Sequence, residues 1–165
     1  MAIPPSYTDR GELETQTTSK YLDYLARNKT TTVMTTAGTS QFNLLTLDEI
    51  HEFNEAIVKS FCGNKIVGIP ALSTHSAVEF VKKAGNYVDK TTHFMALYPD
   101  RYYDHTTIKN HISAIRESTD LPLYLHGMTM RSGYGGAWNF TSDVLCDLFE
   151  DQCLMGIKEE HTDFK

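Results

Sequence analysis

A lysine stands on the end of a short apolar stretch, CLMGIK (153–158). An ammonium held among apolar side chains loses hydration, so its pKa falls and part of it is neutral and nucleophilic. Such an amine attacks a ketone or aldehyde to form a Schiff base, and the iminium lets the adjacent carbon lose a proton. Side chains suited to the same chemistry end other stretches of this kind. TTAGTSQ (35–41) carries Gly38, Thr39 and Ser40, and backbone N–H groups in such a turn can hold a carboxylate. A helix following the turn would help. His126 ends LPLYLH (121–126) and can move a proton near neutral pH. Arg131 can pair with a substrate carboxylate. Each residue also has a plain reading. Lys158 can mark where a strand meets solvent, TTAGTSQ can be an ordinary capped loop, His126 can be structural, and Arg131 can be a solvated loop residue. Tyr98, which ends HFMALY (93–98), reads by itself as packing.

These residues need elements to position them. Apolar, β-rich runs recur about every thirty residues: AIPP (2–5), TTTVMTT (30–36), KIVGIP (65–70), HFMALY (93–98), LPLYLH (121–126) and CLMGIK (153–158). Amphipathic stretches separate them, at 15–28, 45–61, 76–88, 106–118 and 141–151. The first puts Tyr21, Leu22 and Leu25 on one helical face. The second has Asp48 and Glu49 early and Lys59 late, which suits the helix dipole. Thr46 and Thr141 fit as N-caps. Strands alternating with helices imply parallel strands joined by crossovers. Six strands suit either an open doubly wound sheet or part of a (β/α)8 barrel. A complete barrel needs roughly 250 residues, so length alone favours the open sheet.

Composition removes several classes. A chain of 165 residues with 41% hydrophobic and 22% charged residues reads as one globular domain, 1–165. Its net charge of −6, without basic clusters, argues against nucleic acid as a partner. No apolar run approaches the roughly 20 residues of a membrane span, and MAIPPSYTDRGE lacks a secretory pattern. Cys62, Cys146 and Cys153 are odd in number and widely spaced, which reads as reduced, cytoplasmic and mostly buried. Asn-x-Thr at Asn28 and Asn139 then reads as chance. No zinc spacing, GxSxG or GxGxxG occurs, so no metal, hydrolase elbow or dinucleotide is expected.

Taken in order, the motifs resemble one family. MGIKEE resembles the strand carrying the Schiff-base lysine of the dihydrodipicolinate synthase and N-acetylneuraminate lyase family. IPPSYTDRGELE resembles its opening strand and turn, AGTSQFNLLTLDE its "GTTGEF..LT.EE", LYP its "YYP" and HISAIRESTDLPLYL its "H..AIAE.T.LP..LY". RSGYGG before LMGIKEE keeps the family's order. The resemblance covers most of the chain and implies a (β/α)8 TIM barrel, with only the first six strands present. The domain would be incomplete at its C-terminal end, through truncation or completion by another chain. It also implies a homo-oligomer, a dimer of dimers.

By resemblance, Lys158 forms an imine with pyruvate, Thr39 and Ser40 bind its carboxylate, Tyr98 reaches a neighbouring subunit's site, and Arg131 binds a second substrate's carboxylate. Three positions depart from the family. Gly38 replaces a hydroxyl residue, His126 replaces the strand-five tyrosine, and Leu97 replaces the first tyrosine of the strand-four pair. The expectation is a class I, pyruvate-type aldolase or lyase. It would act on a 2-oxo acid through Lys158, with His126 moving the proton and no cofactor beyond the imine. A dehydratase using the same imine, or a family member that only binds or assembles, are the alternatives.

Overall fold

The structure, a computed structural model, describes residues 1–36, 40, 42–97, 99, 104–127, 140–151 and 154–159. They form two compact units, residues 1–68 with 84–93 and residues 69–83 with 94–165. Five helices alternate with five named strands among the described residues: α1 Thr15–Arg27, β1 Thr32–Thr35, α2 Leu47–Ser60, β2 Asn64–Ile69, α3 Thr74–Ala84, β3 Thr92–Leu97, α4 His105–Glu117, β4 Leu123–Gly127, α5 Ser142–Glu150 and β5 Gly156–Glu159.

In the first unit β1 runs parallel to β2, with Val33 opposite Lys65 and Thr35 opposite Val67. The expected strand at 2–5 is a single bridge, Ala2 to Met34. Ile3 N donates to Met34 O at 2.9 Å and Met34 N to Met1 O at 2.7 Å. The ladder stops there because Pro4 and Pro5 have no N–H to donate. Leu22 and Leu25 of α1, Val33 of β1, Phe53 and Ile57 of α2, and Ile3 share one core, with Tyr21 packed against it. The helical face read from the sequence is thus the buried one. Thr46 caps α2 in a reciprocal capping box, its hydroxyl accepting from Glu49 N while Glu49 accepts from the Thr46 backbone N–H.

The first unit also buries charge. Lys65 is 2% exposed, and its Nζ donates to Asp89 Oδ2 at 2.8 Å and to Thr91 Oγ1 at 2.6 Å. Burial alone would raise the Asp89 pKa. Hydrogen bonds from Lys65, Thr91 and Thr92 outweigh it and hold the carboxyl at about 2. His51 Nδ1 lies 2.9 Å from the Tyr87 hydroxyl, and burial pushes that phenol up.

The second unit places β4 between β3 and β5, all parallel. Its interior holds Phe80, Met95, Ile112, Leu123, Leu125 and Leu148. Thr141 caps α5 as expected, accepting from Val144 N. Across the surface of α4 and α5, Asp147 Oδ2 pairs with His105 Nε2 at 3.0 Å, and Lys109 pairs with Asp151 at 2.9 Å. His111 of α4 is buried beside the Thr74 hydroxyl at 2.9 Å, and burial lowers its pKa to about 4.

The cysteine expectation needs correction. Cys62 and Cys146 are both exposed thiols. Cys62 lies in the connection after α2, and Cys146 falls between the buried Val144 and Leu148 on the outward side of α5. Cys153 lies outside the described residues, as does Asn139. No helix among the described residues is long and apolar enough to cross a membrane.

Candidate active site

Parallel register brings three expected positions into one row. Leu97 of β3 is opposite His126 of β4, and His126 is opposite Lys158 of β5. In-register neighbours in a sheet present their side chains to the same face, so the row offers an alkyl group, an imidazole and an amine side by side. The Lys158 Nζ to His126 Nε2 distance is 2.7 Å. An ammonium has no lone pair, so it donates and Nε2 accepts. While the lysine is charged, this contact needs an unprotonated Nε2; with a neutral amine the roles follow the imidazole tautomer.

Electrostatics agree with that assignment. His126 is 1% exposed. Burial, reinforced by the Lys158 charge, lowers its pKa to about 4, while Glu159 pulls the other way. Burial also lowers the Lys158 pKa. Both groups are therefore biased toward their neutral forms, as an amine nucleophile beside a proton acceptor requires. Glu159 reaches this neighbourhood because Gly127 leaves room for it. A Cβ on Gly127 would come within 2.4 Å of Glu159 Oε2.

Ser40 lies after β1, in the other unit. It is fully buried, and its hydroxyl has no hydrogen-bond partner among the described residues. Thr36, the last described residue before Ser40, has φ +46°. Gly38, Thr39, Tyr98 and Arg131 lie outside the described residues. Of the expected site residues, the structure brings His126 and Lys158 into contact.

Sequence reasoning missed Glu159 and Asn54. Glu159 directly follows the lysine, but whether it bends toward β4 depends on Gly127. Asn54 is a polar residue in a helix, yet it is fully buried and accepts a 2.5 Å hydrogen bond from Thr35 Oγ1. Its position one turn from the buried Ile50 and Ile57 was the available signal. Among the described residues no cluster of His, Cys, Asp and Glu could hold a metal ion.

A model of the dihydrodipicolinate synthetase family matches residues 1–165. The 4-hydroxy-tetrahydrodipicolinate synthase of Synechococcus sp. (strain JA-2-3B'a(2-13)) is 27% identical over 164 residues, covering 96% of this chain and 51% of that protein. Among solved structures, dihydrodipicolinate synthase from Aquifex aeolicus superposes with a TM-score of 0.86 at 18% identity, over 99% of this chain and 55% of that one. N-acetylneuraminate lyase from Mycoplasma synoviae superposes with a TM-score of 0.79 at 19% identity, over 98% of this chain and 54% of that one. The chain spans about half the length of the curated relatives it matches. The fold is that of a (β/α)8 barrel, of which this chain holds the run from β1 to β5, and the open-sheet alternative falls away.

Proposed function

Because the chain belongs to the dihydrodipicolinate synthetase family, we propose that it is a class I aldolase or lyase using an imine between Lys158 and pyruvate or a related 2-oxo acid. The observation that supports this most directly is the 2.7 Å contact between Lys158 Nζ and His126 Nε2. The neutral amine attacks the keto carbon and forms a carbon–nitrogen bond. The keto oxygen leaves as water, taking one proton from nitrogen and one from solvent, and a protonated imine remains. His126 then removes a proton from the carbon next to the iminium, and the C–H electrons move toward nitrogen to give an enamine.

The electrostatics give this step its timing. While the nitrogen is charged, it depresses the basicity of His126. In the enamine that charge is gone, so the imidazolium that has just formed is no longer opposed. The positive charge passes from nitrogen to ring in the proton-transfer step, with Glu159 on the favourable side. The enamine carbon then bonds to an aldehyde, or in reverse is the fragment left by carbon–carbon cleavage. Thr39 and Ser40 are assigned to the 2-oxo acid carboxylate, with Gly38 beside them, and Arg131 to an acidic second substrate. Tyr98 is assigned a catalytic role, reaching into a neighbouring subunit's site in a dimer of dimers. The imine is the electron sink, so the reading asks for no further cofactor. It places the enzyme in the cytoplasm.

The test is to incubate the protein with pyruvate, reduce with borohydride, and map the modified residue by mass spectrometry. A reduced adduct on Lys158, absent in Lys158→Ala, is expected. No adduct with any of a panel of 2-oxo acids would refute the reading and point to a family member that binds without turnover. Adduct formation followed by loss of water from the substrate, without carbon–carbon cleavage, would identify the dehydratase variant.

A further inference from the structure

The sheet face that carries Lys158 has a second level. Residues two apart along a strand share a face. Met95, Tyr124 and Gly156 therefore lie one step below Leu97, His126 and Lys158, on β3, β4 and β5. Met95 is 2% exposed and Leu97 6%. Gly156 has no side chain, and the Tyr124 ring takes that space. A Cβ there would meet the ring carbons Cε1 and Cδ1 at 2.9 and 3.0 Å. The amine thus stands over an aromatic ring, and beyond the imidazole the surface is alkyl. All six residues belong to the second unit.

The Lys158 Nζ and His126 Nε2 are 2.7 Å apart, so a carbonyl carbon bonded to Nζ sets its neighbouring carbon against the imidazole. The new carbon–carbon bond replaces the C–H bond that His126 broke, and the incoming aldehyde arrives over β4. Neighbouring strands are about 4.8 Å apart. The aldehyde carbons next to the carbonyl then reach β3 and meet Leu97. Its isobutyl group neither donates nor accepts a hydrogen bond. A hydroxyl on those carbons would lose water there and gain no partner, whereas a methylene gains by being buried.

We propose that Leu97 is a specificity-determining residue, and that the second substrate is an aldehyde whose carbons next to the carbonyl are alkyl, not hydroxylated. This rests on the imine reading for its chemistry. In the bond-forming step the enamine π electrons make the bond to the aldehyde carbon. The C=O electron pair moves to oxygen, which takes the proton held by His126, and nitrogen is left as the iminium. Water then releases a 4-hydroxy-2-oxo acid and the free amine. Leu97 acts only on the carbons nearest the new bond. An acid group farther along the aldehyde, for which Arg131 is assigned, is compatible with it.

The test compares pentanal with glyceraldehyde, which have equal numbers of non-hydrogen atoms, as partners for pyruvate. The kcat/KM for each aldehyde is taken from pyruvate consumption. It is expressed per Lys158 that borohydride traps with pyruvate alone, so unfolded protein drops out. The wild type should favour pentanal at least about tenfold, the size of one unpaired buried hydroxyl. Leu97→Asn, which offers hydrogen-bonding groups, should cut that preference about tenfold, and Leu97→Thr serves as a second polar variant. Leu97→Met stays apolar and should keep the preference. A wild type that favours glyceraldehyde overturns the proposal. So does an unchanged ratio in the polar variants, or its loss in Leu97→Met. A wild type that traps pyruvate but consumes neither aldehyde overturns it too, while the imine stands. If the wild type traps no 2-oxo acid, the imine reading itself has failed and the proposal falls with it.

Discussion

Lys65 and Asp89 form an ion pair with unequal surroundings, and removing either partner should have unequal effects. The ammonium is 2% exposed, while the carboxylate is 48% exposed. Seen from Asp89, the pKa falls from 3.8 to about 2. A drop of nearly two units is worth about 2.5 kcal/mol if the group is fully shielded. With almost half the side chain in water, roughly 1 kcal/mol is the better figure. Seen from Lys65, Asp89→Asn keeps the shape but leaves a buried ammonium without its countercharge. Stranded buried charges cost about 3–5 kcal/mol. Thr91 Oγ1 remains as an acceptor at 2.6 Å, so about 2–3 kcal/mol is expected. Lys65→Met removes the buried charge altogether, and Asp89 is left to water. Its cost should be about 1 kcal/mol or less. Urea denaturation at pH 7 measures both. Asp89→Asn should lower the midpoint more than Lys65→Met at equal slope. If Lys65→Met proved the more destabilising, the assignment of the penalty to the stranded ammonium would be wrong. The sign with pH follows from the depressed carboxyl. Its contribution is complete above pH 3.8 and is lost as pH falls through about 2.

His111 is held neutral with a pKa of about 4 against an ordinary 6.5, so the unfolded chain binds the proton first. Stability should fall as pH drops from 6.5 toward 4, and thermal melts of His111→Gln should show a shallower fall over that window. Leu22 is wholly buried, and Leu22→Ala should cost about 2–5 kcal/mol in the same urea assay. Gly68→Ala should destabilise by at least about 2 kcal/mol, because its Cβ meets backbone rather than a movable side chain. A melting temperature equal to the wild type would show that β1 yields there. Gly127→Ala meets only the Glu159 carboxylate. It should displace that group and lower the His126 pKa further, read by NMR titration of the imidazole, with little loss of stability.

The alternation of strands and helices was legible because each element carries its own local signal. Thr46 with Glu49 announces the start of α2, and the apolar spacing at Leu22 and Leu25 announces the buried face of α1. Pro4 and Pro5 carried a signal too, one that should have demoted the stretch 2–5 from strand to bridge. Lys158 and His126 could each be singled out as the last residues of strands. Their contact could not, since it depends on the register between β4 and β5. Barrel and open sheet share the same alternation, so only motif order and the likeness to solved barrels separate them. Asn54 escaped for a related reason. Its partner Thr35 is nineteen residues away on another element, and an asparagine in a helix reads as solvent-facing. The thiols of Cys62 and Cys146 misled because cysteine is usually interior, whereas a loop and an outward helix position override that tendency.

Leu97, His126 and Lys158 stand on three successive strands at one level. Their spacing is the inter-strand distance of about 4.8 Å, set by main-chain hydrogen bonds that ignore side-chain identity. Exchanging the residue at 97 or 126 therefore changes the functional group on offer while leaving its address untouched. The row works as a set of sockets beside a fixed amine. A small library varied at these two positions, with Lys158 retained, would sample acids, bases and apolar neighbours on one constant geometry. Differences in its activity could then be credited to chemistry instead of displacement.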